Sequence, residues 1–242
     1  FILVPIKFYI SIIKYKKFLY EEKLDIFIGE NGGYPAAFGV LAAFVSAYQT
    51  KVPVRILVIH HEAVKQRLIM KLFRNSLDKT ISKVASSIIC VSKATLQSLK
   101  KFTLLFNNKN ICSKVIYNCV PQFTQLSSKN IFNKKNDEKF IGILGRVEPY
   151  KGHEDLILAF SKLPETIKEK NKILIIGTGD EKNIIKLKTI IKKLDIEKYV
   201  FFKGFVDDKI ENIIKSLSLV VMPTRSFEGF GYTIAEAMSV GV

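Results

Sequence analysis

Phe140-Ile141-Gly142-Ile143-Leu144, followed by Gly145-Arg146 and then Lys151-Gly152, is the stretch whose reading decides the fold. Five consecutive residues without polar alternation, closed by a glycine, predict a strand buried on both faces. After Lys151-Gly152 the apolar positions change period: Leu156, Ile157, Ala159, Phe160 and Leu163 form one face at helical spacing. The same unit recurs downstream. Residues 172–176 read as a strand, 182–194 as a helix, 199–202 as a strand, 207–216 as a helix and 219–222 as a strand. Apolar strands alternating with helices predict a parallel sheet covered on both sides.

Upstream the pattern is similar. Residues 26–28 read as a strand ending at Gly29, and 35–47 as a helix. Residues 54–59 form a β-branched strand that ends at His60-His61. A further strand at 87–91 precedes Ser92, an N-cap for a helix over 93–101, and 114–117 reads as another strand. Between the two series, 122–139 is rich in Ser, Asn and Lys and reads as a linker. The expected fold is α/β, with two Rossmann-like domains, 1–121 and 140–242, facing a cleft.

Composition narrows the function classes. Lys and Arg total 38 against 22 Asp and Glu, a net charge of +16. That balance favours anionic partners such as nucleotides or phospholipid headgroups, although a Lys-, Ile- and Asn-rich composition alone produces the same number. Cys90, Cys112 and Cys119 form no C-x-x-C pair, which predicts reduced thiols in a cytoplasmic protein and no zinc site. No apolar run reaches the roughly 20 residues of a membrane-spanning helix. The sequence begins at Phe1, not methionine, and mid-element, so no signal peptide is expected within these residues and the true N-terminus stays open.

In an open parallel sheet, ligands bind beyond the carboxyl ends of the strands. Gly145-Arg146, Gly177-Thr178-Gly179, Gly204-Phe205 and the stretch from Thr224 to Gly231 all lie at such ends. Arg146 and Lys151 put two cations beside a helix start, where a diphosphate is favoured by charge and by the helix terminus. Glu228-Gly229-Phe230-Gly231, with Glu236 eight residues after Glu228, joins carboxylates that read hydroxyls to glycines that let a ligand approach the backbone. Each feature also has an ordinary explanation. The two cations could be solvated surface residues, and Glu228 a loop carboxylate drawn to a helix N-terminus. Thr233-Ile234-Ala235-Glu236 fits a capping box, with Thr233 as N-cap and Glu236 at N3. Gly241 then reads as the glycine that stops that helix. In the first half, His60 and His61 end a strand, and the loop Gly32-Gly33-Tyr34 ends another.

The ordered series Gly145-Arg146…Lys151-Gly152, Gly177-Thr178-Gly179, Lys203-Gly204-Phe205, Pro223-Thr224 and Glu228-Gly229-Phe230-Gly231…Glu236 resembles the family 4 retaining glycosyltransferases of GT-B fold. Val91-Ser92-Lys93 and Tyr117-Asn118 extend the likeness more loosely into the first half. The resemblance implies transfer of a sugar from a nucleotide-sugar donor to a glycan or lipid-linked acceptor, with retention at the anomeric carbon, as in polysaccharide or lipopolysaccharide biosynthesis. It implies that Arg146 and Lys151 bind the donor diphosphate and that Glu228 contacts the sugar hydroxyls. The Gly229, Phe230, Gly231 and Tyr232 segment would line the donor, with Glu236 on the ribose and Gly204 and Phe205 near the base. His60 or His61 would be the acceptor-domain histidine, and the leaving phosphate would help deprotonate the acceptor. No D-x-D is present, so no metal cofactor is expected.

The sequence departs from the family at Cys119, where a glycine is usual, so that turn is expected to differ. It also lacks the family's first strand and glycine-rich loop, and its last strand and helices. Both domains are thus expected to be incomplete, and the chain alone to be inactive and poorly soluble. Three rival readings stay open. Lys7, Lys14, Lys16 and Lys17 interleave with Phe8, Tyr9, Ile12 and Ile13, as in a helix lying on an anionic membrane surface, which would make the protein peripheral on the inner face. Nucleic-acid binding suits the charge, but no recognition motif supports it. An NAD-dependent oxidoreductase is disfavoured by Lys182, which stands where G-x-G-x-x-G needs a small residue.

Overall fold

The computed structural model describes residues 3–65, 71–107, 111–120, 131–132 and 137–242. The chain forms two compact units. One comprises Phe1–Asn118 with Phe227–Phe230, the other Cys119–Ser226 with Gly231–Val242. Most of the predicted linker at 122–139 lies outside the described residues.

The first unit runs α1 (Leu3–Glu22), β1 (Ile26–Asn31), α2 (Phe38–Gln49), β2 (Val54–Ile59), α3 (Lys71–Val84), β3 (Ser87–Cys90), α4 (Lys93–Phe102) and β4 (Cys112–Val115). Its sheet has the order β1-β2-β3-β4, all parallel. The register pairs Asn31 with Ile59, Ile59 with Cys90, and Cys90 with Val115. The strands therefore end level, and the loops starting at Gly32, His60 and Val91 share one rim. Leu41, Phe44, Leu57, Ile59, Ile81, Ile88 and Leu99 are fully buried between sheet and helices. Each contributes roughly 1.5–3 kcal/mol of burial. Ser92 caps α4 as read from sequence, its Oγ accepting from Thr95 N at 3.1 Å.

Two sequence readings shift here. The helix expected from 35 starts at Phe38. Asn31 holds the intervening loop: its Nδ2 donates to Ala36 O at 2.7 Å and its Oδ1 accepts from Gly33 N at 3.0 Å. Helix α3 has no counterpart in the sequence pattern, because its Lys71-Leu72-Phe73-Arg74 start carries no capping signal.

The second unit runs β5 (Lys139–Leu144), α5 (His153–Ser161), α6 (Glu165–Lys170), β6 (Asn171–Ile176), α7 (Glu181–Lys193), β7 (Val200–Gly204), α8 (Ile210–Lys215), β8 (Leu219–Val220) and α9 (Tyr232–Ser239). Its parallel sheet has the order β7-β6-β5-β8. Alternate residues of β6 feed opposite faces. Ile173 and Ile175 pack with Ile157, Phe160, Leu187 and Ile191, whereas Leu174 and Ile176 pack with Ile213, Ile214 and Leu217. This two-sided burial is why β5 and β6 read as unbroken apolar runs. Gly142 is dictated by packing, since a Cβ there would lie 2.3 Å from Leu217 Cδ1.

The C-terminal helix also corrects the sequence. Gly231, with φ 83°, is the N-cap of α9, and its carbonyl accepts from Ile234 N and Ala235 N at 3.1 Å each. Thr233 lies inside the first turn, so the predicted Thr233–Glu236 capping box does not form. The other end is as read. Gly241, φ 78°, follows the cap, with Gly241 N bonded to Met238 O at 3.3 Å and Val242 N to Ala237 O at 3.0 Å. Those two bonds make a Schellman motif.

His153 opens α5 at 3% exposure, and neither ring nitrogen has a hydrogen-bond partner. Burial, and then the nearby Lys151 charge, push its pKa down to about 4. The folded ring therefore stays neutral at pH values where the unfolded ring, near 6.5, already takes a proton. Stability from this residue is complete above about pH 6.5 and is lost as the pH falls toward 4. We expect urea denaturation to show about 2–3 kcal/mol less stability at pH 4 than at pH 7, with most of that slope absent in His153→Phe.

Candidate functional site

In the second unit the strand ends of β5, β6 and β7 are joined backbone to backbone. Gly145 N donates to Ile176 O at 2.9 Å, Gly177 N to Gly204 O at 2.7 Å, and Val147 N to Thr178 O at 2.9 Å. Gly177 has φ 134°, and a Cβ on it would lie 2.1 Å from Gly145 O. Gly179 is as tight, its virtual Cβ 2.5 Å from Val147 O. Gly145 and Gly204, at φ 137° and 65°, have nothing within 4 Å of a virtual Cβ and stand open at the rim. Phe205, 80% exposed, follows Gly204.

The two expected cations flank one ring. Arg146 Nη2 donates to the Tyr150 hydroxyl at 3.0 Å, and Lys151 Nζ lies 5.8 Å from the centre of the Tyr150 ring. Tyr150 thereby places both charges beside the start of α5. Neighbouring contacts fix that start. Gly152, φ 78°, lies against Pro223, its virtual Cβ 2.0 Å from Pro223 O. Arg225 N donates to Tyr150 O at 2.8 Å, and the Arg225 guanidinium grips Asp155 through both carboxylate oxygens. Neither Tyr150 nor the Asp155–Arg225 pair was singled out from sequence. Tyr150 looks like a loop residue there, and the pair spans most of the unit.

Glu236, in α9 of the same unit, is half-buried, and desolvation raises its carboxyl pKa. A raised pKa means that ionised Glu236 costs the folded state stability at neutral pH. The Thr233–Glu236 capping box does not form, so no capping role offsets this cost. Tyr232 is the exposed first residue of α9, and Gly231 lies against Met222.

The first unit holds the other rim. Residues Phe227–Phe230 pack with it. A Cβ on Gly229 would lie 1.7 Å from His60 O and 3.1 Å from Val91 Cγ2, so only glycine fits on the histidine backbone. This contact brings Glu228 and Phe230, the chain neighbours of Gly229, to the loop that carries His60. His60 Nε2 lies 3.6 Å from Glu30 Oε2. His61 packs beside Gly33, whose virtual Cβ falls 3.5 Å from His61 Cβ. Gly32 has open space around it. Tyr34 turns inward: it is buried, and its hydroxyl donates to Asp78 Oδ1 at 2.8 Å. Cys119 has no positive φ, so the turn after Asn118 does not use the conformation that a glycine would favour.

Comparison with known proteins adds to this geometry. Residues 125–242 match the family described as glycosyl transferases group 1. The matched segment takes in the strand ends, both cations, Gly229, Gly231 and Glu236. Among curated relatives, an uncharacterized glycosyltransferase of Methanocaldococcus jannaschii, MJ1607, is 30% identical over 164 residues, covering 64% of this chain and 40% of that protein. The mannosylfructose-phosphate synthase of Agrobacterium fabrum is 36% identical over 109 residues, 43% of this chain and 24% of that one. The chain thus spans less than half the length of these relatives. Among solved structures, Anabaena HepE in complex with UDP superposes with a TM-score of 0.74 at 20% identity, over 95% of this chain and 61% of that one. The fold is that of the GT-B glycosyltransferase structures, α/β with parallel sheets.

Proposed function

We propose that this protein transfers a sugar from a nucleotide-sugar donor to a glycan or lipid-linked acceptor, with retention at the anomeric carbon. The observation that carries the reading is the strand-end rim of the second unit, with Arg146 at the hydroxyl of Tyr150 and Lys151 near its ring. The family match over 125–242 and the HepE structures solved with UDP and UDP-glucose support it. In this reading the open peptide groups at Gly145 and Gly204 face the donor, and the two cations neutralise its diphosphate. Glu236 accepts hydrogen bonds from the ribose hydroxyls. Glu228 binds sugar hydroxyls, His60 or His61 contacts the sugar on the acceptor side, and the departing phosphate takes the acceptor proton. The charge of the leaving group is met by side chains, without a resident metal. EDTA should therefore leave transfer within about twofold of its untreated rate in an assay with radiolabelled donor.

Glu236 gives a test that separates binding from folding. Glu236→Gln removes the buried charge, so its melting temperature at pH 7 should equal or slightly exceed that of the parent. Its affinity for the nucleoside diphosphate should fall about tenfold, the loss of roughly 1.4 kcal/mol expected for a charge-assisted hydrogen bond. A lower melting temperature with unchanged affinity would return Glu236 to a structural role.

A second reading concerns location. No helix among the described residues is long and apolar enough to cross a membrane. Helix α1 buries Ile12 and Leu19 yet exposes Tyr9, Ile13 and Phe18 beside its lysines. That pattern suits a helix lying at an anionic interface on the cytoplasmic side, where a lipid-linked acceptor would be met. Liposome flotation should show binding only with anionic lipid, and equal flotation with neutral vesicles would remove the charge argument.

A further inference from the structure

The first unit contains a basic concavity that the transferase reading does not use. Its volume is about 510 Å³, and Lys65, Lys71, Arg74, Asn75, Lys101 and Thr103 are among its lining residues. That size lies within the roughly 300–1,000 Å³ of small-ligand sites. Asp78 is the one acidic residue in the lining.

Arg74 and Asp78 offset one another, and Lys65, Lys71 and Lys101 leave a surplus of positive charge in the lining. Asp78 is fully buried and turned to other partners: Oδ1 accepts from the Tyr34 hydroxyl at 2.8 Å and Oδ2 from Leu104 N at 2.8 Å. Arg74 is only 5% exposed. Its Nη2 donates to Phe102 O at 2.6 Å and its Nη1 to Val64 O at 3.3 Å. Its Nε has no hydrogen-bond acceptor and lies 3.8 Å from Asp78 Oδ2. Arg74 is thus held by two carbonyls of its own chain and paired with the buried Asp78 carboxylate, which leaves the three lysines as the unbalanced charge of the lining. Lys65, Lys71 and Lys101 are exposed, so their ammonium groups can reach a ligand without rearranging the core. Three exposed lysines around one concavity suit a group of high charge density. A phosphoryl group, with about two charges and several acceptor oxygens, answers that better than a carboxylate.

We infer that this concavity binds a phosphoryl group of a small ligand or lipid headgroup, at a site separate from the strand-end rim of the second unit. The Val64 and Phe102 bonds of Arg74 tie the site to the loop after His60-His61 and to the end of α4.

The test is equilibrium binding of inorganic pyrophosphate to the whole chain, and it does not depend on transferase activity. In Arg146→Ala/Lys151→Ala, which removes the cations assigned to the donor, one saturable, salt-sensitive site should remain. Adding Lys71→Ala and Lys101→Ala, two exposed positions whose loss does not threaten folding, should weaken that site at least tenfold. Adding Lys192→Ala and Lys193→Ala instead should leave it within twofold. Competition then identifies the source: a hexose 6-phosphate displaces pyrophosphate if the natural ligand is soluble, and phosphatidylglycerol vesicles do so if it is a headgroup. Pyrophosphate binding that is absent from the Arg146→Ala/Lys151→Ala chain, or indifferent to Lys71 and Lys101, overturns the proposal.

Discussion

Gly177→Ala is expected to destabilise the second unit by about 3 kcal/mol or more and to remove nucleotide binding with it. Two costs add at this position. The added Cβ would lie 2.1 Å from Gly145 O and 2.8 Å from Gly145 C, so β5 and β6 must part at their ends. The backbone φ of 134° is also one that an L side chain rarely adopts, a strain of roughly 1–3 kcal/mol. Parting the strands would break the Gly145 N to Ile176 O and Val147 N to Thr178 O bonds that level the rim. Gly145→Ala provides the control, because Gly145 has a similar φ of 137° but open space at its virtual Cβ. It should lose the strain cost alone, about 1–3 kcal/mol, and a smaller share of affinity. Urea midpoints for the two variants separate clash from strain. Equal losses would mean that the strand-end contact contributes nothing.

Glu228→Gln is expected to abolish most transfer while the fold stays intact. If Glu228 reads sugar hydroxyls, the substitution removes a charged acceptor from the sugar but nothing from the nucleotide. The affinity for a nucleotide sugar should then fall about tenfold or more, with affinity for the free nucleoside diphosphate unchanged. The melting temperature should shift by no more than a degree or two, as expected of a loop position. Gly229→Ala should behave differently. Its Cβ, 1.7 Å from His60 O, has to push the 227–230 segment off the histidine loop. Both stability and activity should therefore suffer. A Glu228→Gln protein with full transfer, or one that loses nucleotide and nucleotide-sugar affinity equally, would contradict the role given to this carboxylate.

Strands β5 and β6 are legible because burial on two faces writes itself as unbroken apolar runs, whereas β4, a mixed Cys112–Val115 segment, reads two residues late at 114–117 and β1 reads only to Ile28. Phe140 to Leu144 and Lys172 to Ile176 differ from β5 and β6 by one residue at one end. Ser92 was legible because a cap acts locally. The start of α9 was misread because Thr233 to Glu236 satisfies a local pattern that tertiary structure overrides: Gly231 accepts the first helical bonds. What joins distant segments left no local trace. The fit of Gly229 on His60 O, and the chain from Tyr34 through Asp78 to Arg74, depend on topology rather than on neighbours in sequence. Asp78, next to Lys79 in sequence, carries no local sign of burial, yet it is fully buried in the first unit.

The central claim is that the rim holding Arg146 and Lys151 binds a nucleotide-sugar diphosphate. Calorimetric titration of the chain with UDP-, GDP- and ADP-glucose, in parallel with Arg146→Ala/Lys151→Ala, tests it most directly. The account predicts saturable binding of at least one donor to the parent, weakened about 100-fold in the double variant, as two charge-assisted contacts of roughly 1.4 kcal/mol each would give. Binding of equal strength to both proteins, or to neither, would contradict it.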